Sequence, residues 1–167
     1  TKSVIDLMNT PDHQYDRRFA GTQKLYGTKQ FSLFENTHAY VIGVGGVGTW
    51  AAEGLARSGV GEISLIDMDV LVASNVNRQL MATTATIGRV KVEALKERLL
   101  QINPQCEVTA LQKVFTEETA DEFCLDQYDY IIDAIDSLKD KVALIMRACQ
   151  TPAVFFSSMG AALKMDP

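Results

Sequence analysis

The sequence predicts a doubly wound α/β fold, in which helices cover both faces of a mainly parallel sheet. Three observations predict it: short apolar runs recur along the chain, amphipathic helical patterns separate them, and the first run ends in a glycine-rich turn. Strands that are joined through helices pair in parallel. With 167 residues, 47% of them hydrophobic, the chain is long enough for one core and is expected to be a single domain.

The elements alternate in chain order. Strands are expected over 38–44, 62–67, 106–111, 128–133 and 153–157, where β-rich apolar runs occur. Helices are expected over 47–58, 91–103, 117–123 and 138–149, preceded by a helical segment within residues 1–37. Apolar faces at helical spacing support the second and fourth of these helices: Val92, Leu95, Leu99 and Ile102, then Leu138, Val142, Ile145, Met146 and Cys149.

Composition excludes several classes of protein. The net charge of −5 lacks the basic excess of a dedicated nucleic-acid binder, so a polyanion would have to be held by a few placed cations. Three cysteines without a CxxC pair fit neither a disulfide framework nor a zinc site, which favours a reducing cytoplasm. No apolar run approaches the ~20 residues that cross a bilayer, so no membrane partner is expected.

The glycine-rich turn predicts a nucleotide site. Gly43, Gly45 and Gly48 satisfy GxGxxG between a predicted strand and a predicted helix, and Gly46 adds a fourth glycine. Such a turn lets backbone N–H groups and a helix amino terminus face a phosphate, which makes the fold Rossmann-like. Asp67 closes the second strand, where a carboxylate accepts hydrogen bonds from ribose hydroxyls. NAD and ATP fit these residues equally well, and glycines that only allow close helix packing remain an alternative.

Three further side chains favour ATP. Splitting a triphosphate develops charge that needs cationic side chains and usually a metal. Arg78, in the segment NVNRQ, and Lys91, at the start of a helix, are the candidate cations, and Lys91 is expected to be solvated. Asp136 follows the fourth strand, where it could hold Mg²⁺ through one oxygen or simply cap the next helix. Asp133 has a weaker claim, as a residue at the strand end.

The ordered motifs GVGGVG, LIDMD, SNVNRQ, IGRVK, INP and DAIDS resemble those of the superfamily of ubiquitin-activating and of molybdopterin- or thiamine-biosynthesis adenylyltransferases. The resemblance covers the chain from Arg18 onward. It implies an ATP- and Mg²⁺-dependent adenylation of a carboxylate by a homodimer, and one adenylation domain over residues 1–167 that forms the amino-terminal portion of a longer enzyme. Residue by residue, the resemblance implies nucleotide binding by Gly43, Gly45, Gly46, Gly48, Asp67, Asp69, Asn75, Arg78, Gln79 and Lys91, catalytic roles for Arg78, Lys91 and Asp136, and metal binding by Asp136.

One departure from the family pattern points to a branch. Sulfur-carrier activating enzymes have an RYxRQ-like segment whose arginine reaches the partner subunit's ATP, but the segment here is RFAGTQKLYG, with Gly21 at that place. Arg17 or Arg18 either replaces that arginine or is an ordinary surface residue. The segment is similar to that of a tRNA-modifying branch, which implies tRNA bearing threonylcarbamoyladenosine as substrate and partner.

Three interpretations remain open: a tRNA-modifying enzyme, an activator of a ubiquitin-like sulfur-carrier partner, and a nucleotide-binding module without turnover. In the first, adenylation turns a carboxylate into an acyl donor, and a nucleophile of the same substrate closes a ring. No enzyme thiol is required, and Cys106, Cys124 and Cys149 are expected to be core or near-core residues. Basic surface for tRNA is expected from a cluster such as Arg17, Arg18 and Lys24, or from outside this segment.

Overall fold

The structure is a computed structural model that describes residues 11–160, with side chains described from Arg17 onward. The chain runs through α1 (Pro11–Tyr26), α2 (Thr28–Glu35), β1 (His38–Ile42), α3 (Gly48–Ser58), β2 (Glu62–Ile66), α4 (Lys91–Ile102), β3 (Glu107–Leu111), β4 (Tyr130–Asp133), α5 (Leu138–Ala148) and β5 (Val154–Ser157). A 3₁₀ turn over Ala73–Asn75 lies in the long connection between β2 and α4. Of the amino-terminal segment 1–37, residues 1–10 lie outside the described part.

The described strands form one five-stranded sheet in the order β3-β2-β1-β4-β5, and every neighbouring pair is parallel. The chain moves outward from β1 to β3 and then returns to the other side of β1 for β4. In such sheets ligands bind beyond the carboxyl ends of the strands where the order reverses. The predicted Rossmann-like fold is therefore confirmed, and its reversal point lies between β1 and β4.

Both faces of the sheet are covered, as alternation along β1 shows. Ala39 and Val41 face one core, packed beneath α3 and α4, while Tyr40 and Ile42 face a second core under α5 and the β3–β4 connection. All four side chains are at most 1% exposed. The predicted face of α4 is confirmed, since Val92, Leu95 and Leu99 are fully buried in the first core.

The predicted helix over 117–123 is wrong. The structure has turns and two 3₁₀ segments there, Ala120–Phe123 and Leu125–Gln127. Thr116 and Thr119 explain the difference, because each backbone N–H donates to the other residue's hydroxyl. Such side-chain bonds compete with the helical backbone pattern.

The predicted apolar face of α5 is also wrong. Leu138, Val142 and Met146 are 75%, 52% and 61% exposed, whereas Lys141 and Leu144 face the sheet and are at most 4% exposed. The helix is turned because the Lys141 ammonium reaches a buried carboxylate at the end of β4. No described helix is both long enough and apolar enough to cross a bilayer.

Candidate functional site

The glycine loop lies between β1 and α3, at the reversal point of the sheet. Gly43 has φ of +89°, and a Cβ there would lie 2.7 Å from the carbonyl oxygen of Ala134. A Cβ on Gly48 would lie 1.8 Å from the carbonyl oxygen of Gly43. These two glycines are required by close packing, whereas a Cβ on Gly45 would meet nothing nearer than Gln79 Nε2 at 4.0 Å. The loop is thus closed toward the protein and open at Gly45.

Asp67 joins the glycine loop to the end of β2. Its Oδ2 accepts a hydrogen bond from the backbone N–H of Val44 at 2.9 Å, and its Oδ1 accepts one from the N–H of Asp69 at 2.9 Å. The carboxylate is only 12% exposed. Asp67 therefore fixes the geometry of two loops, and each of its oxygens keeps a second lone pair for a further donor.

Lys91 is not solvated, contrary to the prediction. Its side chain is 8% exposed, and its Nζ lies 2.7 Å from Asp69 Oδ2 and 4.0 Å from Asp67 Oδ1. The backbone N–H of Lys91 also donates to the Asp69 carbonyl at 3.0 Å, which brings the start of α4 against the end of β2. The Asp69 carboxylate, by contrast, is 59% exposed. The ammonium therefore sits beside two carboxylates, one held in the structure and one in contact with solvent.

Arg78 covers the glycine loop from the other side. Its aliphatic carbons lie 3.2 to 3.7 Å from where a Cβ on Gly46 would be. Its guanidinium donates to the Ser74 carbonyl at 2.9 Å and to Asn77 Oδ1 at 3.0 Å, and the residue is exposed. Arg78 has no carboxylate partner among the described residues, so its charge is available to an anion on the loop.

Asn75 and Gln79 are buried in the turn that carries Arg78. Asn75 Oδ1 accepts from the backbone N–H of Val72 at 3.0 Å, which shapes the 3₁₀ turn. Gln79 is 4% exposed, and its Oε1 has no hydrogen-bond partner among the described groups. A buried polar atom without a partner costs free energy. Gln79 lies against Gly45, at the opening of the loop, where a bound nucleotide could supply that partner.

Asp136 is exposed, and its carboxylate has no partner in the described part of the chain. The cap of α5 is Ser137, whose hydroxyl accepts from the N–H of Asp140, so the alternative reading of Asp136 as the cap does not hold. Asp136 lies two residues after Ala134, the residue that contacts Gly43. The structure thus brings its loop against the glycine loop.

A buried network at the end of β4 was missed at the level of sequence. Lys141 Nζ donates to Asp133 Oδ2 at 2.7 Å and to the Ser158 carbonyl at 2.8 Å. Ser157 Oγ donates to the same Asp133 oxygen at 2.6 Å, and the N–H of Ile135 donates to Asp133 Oδ1 at 3.0 Å. The network fixes the backbone that leads into Asp136. The available signal in the sequence was the spacing of Lys141 and Leu144, which are three residues apart and therefore lie on the same face of the helix.

The donors present fit a nucleotide with a divalent ion. Arg78 and Lys91 flank an open glycine loop, and Asp136 is a hard oxygen donor near it. No cluster of three or more His, Cys, Asp or Glu side chains in the described residues could hold a metal ion by itself. Such a site suits Mg²⁺, which is commonly held by one or two carboxylates together with substrate phosphates.

The amino-terminal helix contributes an aromatic side chain to the core of its own chain. Phe19 is 3% exposed and packs against Phe31 with ring centroids 6.0 Å apart, so it serves the core of its own chain and not an interface. Arg17, Arg18 and Gly21 are exposed. A Cβ on Gly21 would meet nothing within 4 Å. Packing therefore does not exclude an arginine at this position.

Two of the three cysteines are not core residues, contrary to the prediction. Cys124 and Cys149 are exposed, and only Cys106 is buried. Cys124 has φ of 43°, in the left-handed region, and lies between the two 3₁₀ segments. Burial raises the pKa of the Cys106 thiol to about 11, which keeps it protonated and unreactive at neutral pH.

The chain is similar to proteins of known family and structure. Residues 15–165 match the model of the ThiF family. The chain is 44% identical over 151 residues to the tRNA threonylcarbamoyladenosine dehydratase of Escherichia coli, covering 90% of this chain and 56% of that protein. It is 44% identical over 155 residues to the enzyme of that name in Bacillus subtilis, covering 93% and 59%. The crystal structure of the E. coli dehydratase in complex with ATP superposes with a TM-score of 0.88 at 42% identity, covering 95% of this chain and 64% of that one. The chain spans a little over half the length of these curated relatives.

Proposed function

Since the chain belongs to the ThiF family, we propose that it binds ATP at the carboxyl edge of its sheet and adenylates a carboxylate on tRNA. The substrate is N6-threonylcarbamoyladenosine at position 37 of tRNA, and the reaction is its ATP-dependent dehydration to a cyclic form. The observation that carries the proposal is the open glycine loop flanked by Arg78 and Lys91. The two dehydratases that are 44% identical to this chain support the choice of substrate.

Each site residue has a distinct part in the proposed reaction. The N–H groups at Gly45 and Gly46 face the phosphates, and Asp67 accepts from the ribose. Arg78 and Lys91 neutralise the charge that develops as pyrophosphate leaves. Asp136 would hold Mg²⁺, which would neutralise further phosphate charge. Ring closure then needs only the substrate's own nucleophile, because AMP is a good leaving group.

Two acidic neighbours suit Lys91 to the role of neutralising phosphate charge. In the structure it pairs with the exposed carboxylate of Asp69 while staying close to the buried one of Asp67. Water reaches the carboxylate side of this pair, and an ion pair open to solvent contributes little to stability. Lys91 can therefore exchange Asp69 for a phosphate at small cost, while Asp67 and the start of α4 keep its position.

We also propose that the protein is a cytoplasmic homodimer. Exposed Arg17 on α1, together with Leu25, which is 75% exposed, forms the mixed cationic and apolar surface that suits an interface. Of the two candidate arginines, Arg18 lines a separate cavity with Arg57 and Arg98, so the dimer would place Arg17 near the partner subunit's nucleotide, where it would replace the cation absent at Gly21. Light scattering before and after deletion of residues up to Tyr26 tests this, since an unchanged dimer would move the interface elsewhere.

The function is tested by incubating the protein with ATP, Mg²⁺ and tRNA, followed by mass analysis of the nucleosides. We expect the threonylcarbamoyl nucleoside to lose the mass of one water. Asp136→Asn should lose this turnover and keep stabilisation of the protein by ATP against heat, which NADH should not provide. Asp126→Asn, an exposed aspartate on a 3₁₀ turn, is the matched control. An unchanged nucleoside mass, together with adenylation of a sulfur-carrier protein's carboxyl terminus, would favour the activator of a sulfur-carrier partner. ATP binding without either product would favour the nucleotide-binding module without turnover.

A further inference from the structure

A second basic site lies away from the glycine loop, on the face of the protein formed by α1, α3 and α4. It is a surface cavity of about 510 Å³, lined by Arg18, Phe19, Arg57, Arg98, Gln101 and Ile102. Arg57 and Ile102 lie at the carboxyl ends of α3 and α4. The cavity therefore opens toward the amino edge of the sheet, opposite the nucleotide loop, and the proposed reaction does not use it.

A buried carboxylate organises two of these arginines. Glu53 is 7% exposed, and its Oε1 accepts from Arg57 Nε at 2.9 Å while its Oε2 accepts from Arg98 Nε at 2.5 Å. The hydrogen bond from Arg98 holds the pKa of the Glu53 carboxyl below its usual value, so the group stays ionised at neutral pH. One carboxylate thus fixes two guanidiniums, and a planar group held in place loses less freedom when it binds a further anion.

The cavity carries an excess of positive charge. Arg18 is exposed and has no carboxylate partner among the described residues, so three guanidiniums face one carboxylate. Elsewhere on the surface, by contrast, one cation faces one carboxylate: Arg147 pairs with Asp121 at 3.0 Å and Lys113 with Glu122 at 3.0 Å. In a chain of net charge −5, this local excess points to an anionic ligand.

We propose that this cavity binds a backbone phosphate of the tRNA, an inference that rests on the proposed function. Guanidinium groups match the geometry of phosphate oxygens. Among the described residues that line the cavity, the one aromatic side chain is Phe19, which is buried against Phe31 and offers no stacking surface for a base. The contact is therefore to the backbone, and it positions the RNA without reading its sequence.

The separation of the two sites suits one RNA. Arg57 follows Gly48 by nine residues of helix α3, which at about 1.5 Å per residue places it roughly 13 Å along the helix from the nucleotide loop. The tRNA nucleotide that is modified reaches the carboxyl edge beside the bound ATP, and the phosphates of the adjoining tRNA stem continue over this distance. The cavity anchors that stem while the modified base occupies the carboxyl edge.

The test compares tRNA binding by two double variants of equal charge change. Arg18→Gln with Arg57→Gln should weaken tRNA binding about tenfold at low salt and lower the slope of log K against log salt by about one to two, as expected for lost phosphate contacts. The control, Lys113→Gln with Arg147→Gln, removes two exposed cations elsewhere and should change affinity less than about twofold. Stabilisation by ATP against heat should be the same in all three proteins.

The outcomes separate this inference from the proposed function. Equal weakening in both double variants would overturn the cavity as a site, because the effect would then be one of overall charge. Normal tRNA binding by the Arg18 and Arg57 variant would overturn it as well, while leaving the proposed function intact. A parent protein that neither binds nor modifies tRNA would overturn both. If the double variant fails to fold, Arg18→Gln alone, which breaks no ion pair in the described structure, makes the same comparison.

Discussion

Two lysine–aspartate pairs follow parallel strands at the same edge of the sheet, and they differ in exposure. Lys91 Nζ lies 2.7 Å from Asp69 Oδ2, and Lys141 Nζ lies 2.7 Å from Asp133 Oδ2. Both lysines are buried, but the Asp69 side chain is 59% exposed and that of Asp133 is fully buried. Distance alone therefore does not distinguish a pair that is free to exchange its partner from one that is locked.

The surroundings of the two carboxylates explain the difference. Asp133 accepts from Lys141, Ser157 and the N–H of Ile135, so its oxygens are satisfied inside the protein. Asp69 uses its side chain only for Lys91 among the described groups, and water can replace that contact. The pair of Lys141 with Asp133 holds the loop that carries Asp136. The pair of Lys91 with Asp69 leaves a cation available to a phosphate.

The largest expected effect comes from breaking the locked pair. Lys141→Met keeps the aliphatic stem but leaves Asp133 charged and buried, so the free energy of unfolding should fall by about 3 to 5 kcal/mol in urea denaturation. Lys139→Met, two residues away and 72% exposed, should change it by less than about 0.5 kcal/mol. A loss below about 1 kcal/mol for Lys141→Met would mean that water reaches Asp133, and the contrast between the pairs would disappear.

Breaking the exchangeable pair should affect ATP more than folding. Lys91→Met should weaken ATP binding by about 10- to 100-fold in calorimetry, or about 1.4 to 2.7 kcal/mol, because a phosphate loses its ammonium partner. The free energy of unfolding should fall by about 1 kcal/mol or less, since Asp69 is exposed and regains water. Lys96→Met, on the same helix, should leave ATP affinity unchanged. A large loss of stability with normal ATP affinity would give Lys91 a structural role only.

The location of the site could be predicted from the sequence, because all the described strands are parallel. Parallel strands have their carboxyl ends on one edge, so Asp67 and Asp136 had to lie near the glycine loop whatever the details of packing. The spacing of Val92, Leu95 and Leu99 gave the buried face of α4 for a similar reason, since a helical period needs no tertiary information.

The exposure of each charged group could not be predicted in this way. Lys91 looked solvated because lysines at helix starts usually are, and only the contact with β2 buries it. The predicted face of α5 consists only of apolar residues, yet Lys141 faces the sheet because its ammonium pairs with the buried Asp133 carboxylate. Pairing between residues from different elements depends on the tertiary fold, and the spacing of apolar residues along the sequence does not predict it.

A smaller effect should come from trimming the locked pair at its edge. Ser157→Ala removes one donor to Asp133 Oδ2 and leaves Lys141 in place, so the free energy of unfolding should fall by about 1.5 kcal/mol. Ser58→Ala, which removes a hydroxyl bonded to the Gly54 carbonyl on an exposed helix surface, should change it by less than about 0.5 kcal/mol. Equal losses in the two variants would show that Ser157 adds nothing specific to the network.

The smallest effect, and the one that most directly separates the two pairs, is expected from Asp69→Asn. This change keeps the size of the side chain and the N–H of Asp69, which donates to Asp67 Oδ1 and so orients the loop. It removes only the exposed charge that competes with a phosphate for Lys91. The free energy of unfolding should change by less than about 1 kcal/mol, because the Asp69 carboxylate is open to solvent. ATP should bind about two- to fivefold more tightly, because its phosphates no longer compete with that carboxylate. The control is Asp121→Asn, which removes the exposed carboxylate that pairs with Arg147 of α5, and it should leave ATP affinity unchanged. Weaker binding of ATP by Asp69→Asn would show instead that the Asp69 carboxylate itself contacts the nucleotide or its metal. Lys91 would then bind a phosphate while still paired with Asp69, and would not exchange the carboxylate for the phosphate.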